Sequence, residues 1–335
     1  MNRKILPAIL KILAMAIAII AAAITAQWIF NWRYFQRGHA FQVDGPIPRD
    51  IRLKDGSTYC GSLWQGVPDG NGVLSFPDGG ARAGRWKQGC ETGLFREVNK
   101  YGETVFTMWV NGSRIGYASL SCDTSAYYGI DVSRYQDACW GATCIAMSEN
   151  GKRFANQETG LWRPVEFVYM KATEGVTIYD PLYRHHLKMA RRLKLPRGAY
   201  HVMQVNVPAR DQALHFLSCI SPSDCNMPPV LDLEAQYFKQ TLTLPDIRSS
   251  LLTWLQIVEN ELGQRPLIYT GRQFYQNYLE GTELDDYGIW LADYSGRPDR
   301  EDIFMRQVTS KGVLSGWNAS VDVDKLYKWS FTIPK

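Results

Sequence analysis

The sequence predicts an α/β protein whose main body is a TIM-like barrel, preceded by a small β-hairpin repeat region and an N-terminal membrane helix. Three observations predict it. An uncharged apolar run lies near the N-terminus, glycines then recur every 23 residues, and from Ala126 onward short apolar segments alternate with helical patterns. At 335 residues the chain is long enough for a barrel and a second, smaller region.

The composition is that of a globular protein and narrows the classes of function. Hydrophobic residues make up 45% of the chain and charged residues 21%. The formal net charge of +4 is too small to indicate a nucleic-acid partner. The chain holds 11 Trp and 18 Tyr residues, which favours carbohydrate binding because sugar faces stack on aromatic rings.

Residues 1–37 have the features of a membrane anchor or an export signal. Three basic side chains precede an uncharged run, Ile12–Phe30, which is close to the ~20 residues that span a bilayer. The charges before this run place the N-terminus inside, so we expect an inner-membrane-anchored protein that faces the periplasm or exterior. The alternative is a secreted protein with a cleaved leader, because Ala21-Ala22-Ala23 fits a signal-peptide cleavage site.

A glycine repeat occupies residues 55–121, after a Gly- and Pro-containing linker over 38–54. Three glycine positions recur at steps of 23 residues, and each register holds over three copies: Gly56, Gly79 and Gly102; Gly66, Gly89 and Gly112; Gly70, Gly93 and Gly116. Glycine permits turns with positive φ, and the stretches between are long enough only for short strands. The repeat therefore predicts three β-hairpins stacked in a row.

The first copy of this repeat, Tyr59-x-Gly61-x-x-x-x-Gly66-x-x-x-Gly70-x-Gly72, resembles a MORN repeat. The second copy departs from that pattern, with Arg82 for the tyrosine and Phe95 for the last glycine. The resemblance implies a spacer, a platform for a protein partner or a lipid-facing surface. A spacer that stacks only on itself is the simplest of these interpretations.

Residues 122–335 predict the barrel. The predicted strands are Tyr128–Val132, Phe167–Ala172, Gly198–Val202, Val230–Glu234, Leu267–Thr270 and Ile289–Ala292, with weaker candidates at Phe304–Val308 and Ser320–Val323. The predicted helices are Pro181–Leu193, Pro208–Ile220 and Leu244–Leu262. Helices between the early strands indicate a parallel barrel, whose later connections are too short for full helices.

Two carboxylates close the predicted strand Val230–Glu234. Asp232 and Glu234 point the same way because side chains alternate along a strand, and they are separated by about 6.5 Å of rise. Pairs of carboxyl groups at roughly 5–9 Å cleave glycosidic bonds. The active site of such barrels lies at the C-terminal strand ends. The polar and aromatic residues there are Asp131, Lys171, Glu174, Tyr200, His201, Asp232, Glu234, Tyr269, Trp290, Asp293, Tyr294, Gln307 and Asp322.

Seven motifs over about 126–328 together resemble glycoside hydrolase family 25, the lysozymes of the Chalaropsis type. The motifs are Gly129-Ile130-Asp131-Val132-Ser133-Arg134-Tyr135-Gln136, Lys171-Ala172-Thr173-Glu174-Gly175, Gly198-Ala199-Tyr200-His201, Val230-Leu231-Asp232-Leu233-Glu234, Pro266-Leu267-Ile268-Tyr269-Thr270, Trp290-Leu291-Ala292-Asp293-Tyr294 and Val321-Asp322-Val323. The resemblance implies five β/α units plus three plain strands. It also implies cleavage of the β-1,4 bond from N-acetylmuramic acid to N-acetylglucosamine in peptidoglycan.

The resemblance also implies roles for individual residues. Glu234 is the proton donor to the leaving oxygen. Asp232 orients the substrate's acetamido group or helps to activate a nucleophile, and Asp131 and Asp322 line the same cleft. The implied substrate-binding residues are Tyr135, Lys171, Glu174, Tyr200, His201, Tyr269, Trp290, Asp293, Tyr294 and Gln307. A supporting, hydrogen-bonded role is an equal alternative for His201. No cofactor and no metal are expected, and a retaining or an inverting outcome stays open.

The chain departs from the family pattern at three places. An insertion, Ala138–Gly160, carries Cys139 and Cys144 and is interpreted as a disulfide-tied loop beside the cleft. Val202 stands where the family has an aromatic residue, and Arg306-Gln307-Val308 replaces Trp-Gln-Tyr. Cys219 and Cys225 form a second close pair of thiols, and the seven cysteines leave structural bridges or buried thiols open.

Two functions follow from these features. The first is a peptidoglycan muramidase whose partners are glycan strands and, through the N-terminal helix, the membrane. The alternative is a catalytically weak glycan-binding or scaffold protein in which the repeats are the working part, with a protein or lipid as their partner. The presence of Asp131, Asp232, Glu234 and Asp322 favours the first function.

Overall fold

The computed structural model of the chain describes residues 47–120, 125–146, 162–204, 207–234, 244–295, 303–317 and 319–327. The predicted membrane helix over Ile12–Phe30 lies outside these residues. Across the described ranges, no helix is both long and apolar enough to cross a bilayer. Two sheets, of seven and eleven strands, build this part of the chain, and both belong to one unit that begins at Ile47.

The seven-stranded sheet is formed by the glycine repeat. Its strands are β1 Ile51–Arg52, β2 Thr58–Trp64, β3 Val67–Ser75, β4 Ala81–Lys87, β5 Cys90–Val98, β6 Thr104–Val110 and β7 Ser113–Tyr117. Neighbours in sequence pair antiparallel throughout, so the predicted hairpins are present. Three turns have positive φ at both central residues, which is the type I′ geometry of tight hairpins: Gln65-Gly66, Gln88-Gly89 and Asn111-Gly112.

One face of this hairpin sheet carries a row of buried aromatic rings. Tyr59, Trp86, Phe95 and Trp109 follow each other with ring centroids 5.2, 4.8 and 6.0 Å apart. The Phe95 ring lies directly on Gly84, where a Cβ atom would come within 2.5 Å of the ring. Gly84 is therefore required by packing, because any side chain there would displace the row.

The opposite face of the hairpin sheet packs on the barrel. Small apolar side chains of this face belong to the same buried cluster as the outer wall of the barrel: Cys60, Val73, Ala81, Ala83 and Val98. The buried Arg96 donates to the Val165 carbonyl at 2.7 Å. The expectation that the repeats stack only on themselves is therefore wrong, since this face is too apolar to face water. The predicted boundary near residue 121 stays a prediction.

The barrel lies in the larger sheet. Its strands and their flanking pieces are β8 Ala126–Val132, β9 Cys144–Ala146, β10 Trp162–Pro164, β11 Phe167–Glu174, β12 Ile178–Tyr179, β13 Arg197–Val202, β14 Val230–Leu233, β15 Leu267–Gly271, β16 Gly288–Ala292, β17 Ile303–Leu314 and β18 Val321–Tyr327. Eight of them close in the order β17-β16-β15-β14-β13-β11-β8-β18, because β18 pairs back onto β17. β9 and β10 extend the free end of β17.

The barrel is not fully parallel, which corrects the sequence prediction. β18 runs antiparallel to both of its neighbours, whereas the other pairings around the barrel are parallel. Only residues 315–320 connect β17 to β18. A parallel crossover needs about a dozen residues, so this short connection can only turn the chain back.

The predicted helices lie where the sequence places them. They are α1 Tyr183–Arg192, α2 Ala209–Cys219 and α3 Leu244–Leu262, followed by a short helical segment, Arg272–Phe274, that continues as a π-helix over Tyr275–Leu279. Asp246 lies in the first turn of α3, and Gly263 ends the helix with φ +66°. Helices therefore follow β12, β13, β14 and β15 in the described chain, and the fifth β/α unit that the family resemblance implies is not among them.

The barrel wall separates two kinds of core. Its outer face packs aliphatic residues such as Leu231 and Ile268 against the helices. Its inner face carries a column of aromatic rings, in which Tyr169 and Trp290 lie 5.0 Å apart and Trp290 and Tyr269 lie 4.9 Å apart. This column fills the barrel beneath the ends of its strands.

Six cysteines are described, and all of them are free thiols: Cys60, Cys90, Cys139, Cys144, Cys219 and Cys225. The disulfide that was predicted to tie the insertion is therefore absent. Burial raises the pKa of Cys144 to about 12, which keeps this thiol protonated. Of the two interpretations of Cys219 and Cys225, the thiols are the one observed.

Candidate active site

A cavity of about 170 Å³ opens at the C-terminal ends of the barrel strands. The residues that line it include the four predicted catalytic carboxylates, Asp131, Asp232, Glu234 and Asp322. Predicted substrate-binding residues complete most of the lining: Tyr135, Lys171, Tyr200, Tyr269, Trp290 and Gln307. The remaining lining residues are Ser133, Gln136, Val202 and Val230. The strand ends thus bring these groups together as the sequence predicts.

Asp232 and Glu234 reach the cavity from the end of β14. Alternation along this strand sends Leu231 and Leu233 outward and Asp232 inward, where it is 6% exposed. Its Oδ1 atom has no hydrogen-bond partner among the described residues. Burial, and then the charge of Glu234, raise the pKa of Asp232 well above its ordinary value.

Asp131 and Asp322 lie next to each other on the neighbouring strands β8 and β18. They are opposite residues of the antiparallel pair β8–β18. Burial, and then the charge of Asp322, raise the pKa of Asp131 well above its ordinary value. Burial alone raises the pKa of Asp322 to about 6. Two carboxyl groups held this close cannot both be ionised at neutral pH without a large cost.

A further carboxyl group, Asp324, was missed by the sequence analysis. It lies two residues after Asp322 on the same face of β18, is fully buried, and accepts a 3.1 Å hydrogen bond from Trp290 Nε1. Its Oδ2 atom has no hydrogen-bond partner among the described residues, and its carboxyl group influences that of Asp131 so strongly that the pair favours holding one proton between them. Burial, and then Asp131, raise the pKa of Asp324 well above its ordinary value. The alternation Asp322-x-Asp324 was the signal that could have found it.

Gln307 connects the floor of the cavity to its rim. Its Nε2 donates to Asp131 Oδ2 at 2.8 Å, and its Oε1 accepts the hydroxyl of Tyr269 at 3.0 Å and that of Tyr294. Tyr294 is 53% exposed and does not line the cavity itself. Burial, and then the charge of Asp322, raise the pKa of Tyr294 to about 12. The structure therefore gives Tyr294 a contact with Gln307 at the edge of the site.

Lys171 is the one cationic side chain among the residues that line the cavity. Its ammonium group donates to Glu174 Oε2 at 2.7 Å, and Gln204 donates to the other oxygen at 3.2 Å. Burial alone would raise the pKa of Glu174, but Lys171 and Gln204 together hold it below its ordinary value. Glu174 does not line the cavity as predicted, because these two partners hold it in the wall as the counter-charge of Lys171.

Two further predicted contacts lie outside the cavity. His201 is fully buried between Thr173 and Gln212, and its ring stacks on Trp254 at 5.7 Å. Burial lowers the pKa of His201 to about 3, so the ring is neutral and supports the wall. Asp293 forms an ion pair with Arg272 and accepts the Ser295 amide, and it is not among the residues that line the cavity.

The rim of the cavity is completed by the segment Ser133–Gln136, which directly follows β8. Tyr135 in this segment is 56% exposed and offers a ring to the opening. Gln136 folds back so that its Oε1 accepts the Ser133 amide at 2.8 Å. Ser133 and Gln136 are lining residues that the sequence analysis did not assign, although both lie within its first motif.

This arrangement suits acid–base chemistry on a neutral polar substrate. Buried carboxyl groups with raised pKa values hold protons near neutrality, and neighbouring ionised carboxylates accept them. The aromatic floor and rim supply faces on which sugar rings stack. Across the residues the structure describes, no group of three or more His, Cys, Asp or Glu side chains is arranged to hold a metal ion.

Comparison with known protein families places this site in a family. The profile of glycosyl hydrolases family 25 matches residues 130–317. This range includes all the residues that line the cavity except Asp322. The chain belongs to glycosyl hydrolases family 25. It is 34% identical over 198 residues to the uncharacterized protein YegX of Escherichia coli strain K12. The matched region covers 58% of this chain and 67% of YegX.

Two further similar proteins have names that describe an activity. An autolytic lysozyme of Clostridium acetobutylicum is 29% identical over 163 residues, covering 48% of each chain. An N,O-diacetylmuramidase of Arthroderma benhamiae is 25% identical over 181 residues, covering 51% of this chain and 70% of that one. A solved structure of a family 25 glycosyl hydrolase from Bacillus anthracis matches with 21% identity and a TM-score of 0.49, covering 62% of this chain and 91% of that one.

Proposed function

We propose that this glycoside hydrolase is a peptidoglycan muramidase, which hydrolyses the β-1,4 bond from N-acetylmuramic acid to N-acetylglucosamine. The observation that carries the proposal is the cavity itself: Asp131, Asp232, Glu234 and Asp322 converge at the strand ends of a family 25 domain. Two relatives are named as an autolytic lysozyme and a muramidase, which supports the same substrate.

In this proposal Glu234 gives its proton to the leaving oxygen. Asp232 either orients the acetamido group of the substrate or helps to activate the nucleophile. Its Oδ1 atom is a buried acceptor with no donor among the described residues, as a group that receives a substrate N–H would be. Asp131 and Asp322, which are not both ionised at neutral pH, keep one negative charge between them in the cleft, and this charge stabilises positive charge that develops on the sugar ring.

Digestion of purified sacculi by the full chain tests this function. Mass analysis of the products distinguishes the bonds: muramidase products carry a reducing N-acetylmuramic acid end. Products with a reducing N-acetylglucosamine end, or no soluble products at all, would contradict the proposal. The second outcome would favour the alternative of a glycan-binding scaffold, for which the departures at Val202 and Val308 are the supporting observation.

We further propose that the catalytic domain faces the periplasm or exterior, held by the N-terminal segment or released from it. The uncharged run Ile12–Phe30 with basic residues before it supports export, and the proposed substrate is found outside the cytoplasmic membrane. A phosphatase fused at Lys335 is active only outside, so an inactive fusion would contradict this location. Membrane extraction then distinguishes an anchored full-length chain from a product shortened by about 23–26 residues.

For the hairpin sheet we propose a MORN-like repeat architecture. The resemblance of its first copy and the recurrence of the type I′ turns every 23 residues support this assignment. A partner of these repeats is part of the same proposal. A pull-down that compares residues 47–335 with the same residues carrying Trp64→Ser tests this partner, because Trp64 is exposed. Equal recovery of every bound protein or lipid by the two samples would contradict the proposed partner.

A further inference from the structure

The hairpin sheet reaches the active-site rim through the insertion that follows β8. On the sheet side, Arg96 donates to Val165 O and lies 3.4 Å from Thr143 Oγ1. Asn71 donates to the Gly316 carbonyl at 2.6 Å, and its side-chain amide packs closely on two glycines: a Cβ atom would come within 2.4 Å of it at Gly316 and 3.0 Å at Gly141. The described part of the insertion, residues 138–146, is thus held between the sheet and the end of β17.

The clamped insertion carries a fully buried tryptophan, Trp140. Its ring packs edge-on against Trp317, with centroids 6.1 Å apart, and Trp317 donates to the Cys139 carbonyl at 3.1 Å. Trp140 Nε1 donates to His186 Nδ1 at 3.0 Å. Trp140 therefore connects the insertion to helix α1 through its hydrogen bond with His186.

The contact with Trp140 fixes the tautomer of His186. An indole N–H can only donate, so His186 Nδ1 is the acceptor and carries no proton. The proton of the neutral ring then lies on Nε2, which is 3.3 Å from the Ser133 carbonyl and donates to it. Burial lowers the pKa of His186 to about 3, so the ring stays neutral and this direction of donation holds across the physiological range.

Ser133 is the first residue of the cavity rim. Its carbonyl is held by His186, and the adjacent Arg134 amide donates to Asp180 Oδ2 at 3.0 Å. These contacts fix the backbone that presents Tyr135 and Gln136 to the cavity. The order of contacts is therefore sheet, insertion, Trp140, His186 and rim.

We propose that the hairpin sheet and residues 138–146 of the insertion together form a wall that positions the Ser133–Gln136 rim for glycan binding, with Trp140 and His186 as positioning residues. The sheet is then a working part of substrate recognition. The proposal rests on the proposed muramidase function, and it concerns affinity for the glycan strand because the rim segment contributes no reacting carboxyl group.

Steady-state hydrolysis of solubilised glycan strands by the full chain tests the proposal. Trp140→Phe keeps an aromatic ring and removes the donor. It is expected to raise KM roughly two- to tenfold, the equivalent of one hydrogen bond, with kcat within about twofold of the wild type. His186→Gln keeps a donor toward Ser133 and is expected to restore most of the affinity that His186→Leu loses. Asn71→Ala, at the sheet end, is expected to raise KM in the same direction.

Trp254→Phe is the matched control for Trp140→Phe. Trp254 is equally buried, but its Nε1 atom has no hydrogen-bond partner among the described residues and it lies against His201, away from the rim. A KM for Trp140→Phe equal to that of Trp254→Phe would overturn the proposal. A wild-type chain that releases no product contradicts the proposed function instead, so the two failures are distinguishable.

The tautomer of His186 can be measured in the wild-type chain, and this tests the same contacts if Trp140→Phe does not fold. Long-range ¹H–¹⁵N correlation of the His186 ring, assigned with His186→Gln, is expected to show a neutral ring protonated at Nε2 from pH 5 to 8. A ring protonated at Nδ1, or a charged ring in this range, would break the connection to Ser133 and overturn the proposal.

Discussion

The two faces of the barrel wall have opposite chemistry. The outer face is aliphatic, packs against the helices and the hairpin sheet, and is the part of the barrel that stabilises the fold. The inner face carries aromatic rings and several buried carboxyl groups, which are served by one lysine among the cavity residues. Burying carboxylates without counter-charges costs stability, so the inner face is maintained for its chemistry.

The largest effect is expected at the inner face with Glu234→Gln. Removal of a general acid lowers kcat roughly 10²–10⁴-fold, and the amide keeps the size of the side chain. Product release from purified strands measures the rate, and a melting curve confirms the fold. Glu283→Gln, a change at an exposed glutamate, is the control and is expected to have no effect. A turnover close to wild type in Glu234→Gln would remove Glu234 from the role of proton donor.

Leu231→Ala tests the outer face one residue away from Asp232. The side chain of Leu231 is fully buried against the helices, so its truncation is expected to lower the free energy of unfolding by about 2–5 kcal/mol. KM at a temperature well below the melting transition is expected to stay unchanged. Asp232→Asn is expected to do the reverse, with lost turnover and retained stability. Equal losses of stability in both variants would show that the two faces are not separable.

Asp322→Asn is expected to stabilise the fold at neutral pH. Because burial raises the pKa of Asp322 to about 6, the folded state favours its protonated form, and stability falls as pH rises from about 4 through about 6. The amide cannot ionise, so the variant lacks this fall and gains on the order of 3 kcal/mol at pH 7. Urea unfolding at pH 4.5 and pH 7 measures the difference, with the exposed Asp286→Asn as control. A variant less stable than the wild type at pH 7 would contradict the cost assigned to the inner face.

The smallest effect is expected for Asp324→Asn. A protonated Asp324 can donate a hydrogen bond to Asp131, and the amide of the asparagine can donate in its place. We therefore expect kcat to stay within about threefold of the wild-type value at every pH. Asp324→Leu removes the donor and is expected to move the acidic limb of that profile, because Asp131 then loses its neighbour. A large loss in Asp324→Asn would mean that the ionised carboxylate of Asp324 is what the site requires.

The sequence predicted most of the barrel because its signals are local. Apolar runs such as Val230–Leu233 and helix ends such as Gly263 are set by neighbouring residues, and both lie where the patterns placed them. Strand alternation likewise placed Asp232 and Glu234 on one side. The roles of Glu174 and His201 depended on their partners Gln204 and Gln212, which lie on other segments and which no local pattern reveals.

The hairpin sheet shows the same limit of sequence reasoning. Its 23-residue period predicted the hairpins because positive-φ turns leave a glycine signature. The period does not predict which face of the sheet packs on the barrel. On that side of the sheet, Arg96 and Asn71 each donate a hydrogen bond to a carbonyl group far along the chain. Repetition reveals how a unit folds, whereas docking depends on the residues that break the repetition.

The amide of Gln307 assigns the two oxygens of Asp131 to different tasks. Two phenol hydroxyls converge on Gln307 Oε1, so the amide cannot rotate, and its N–H must point at Asp131 Oδ2. Negative charge on Asp131 is thereby favoured at Oδ2, which leaves Oδ1 as the oxygen that takes up a proton.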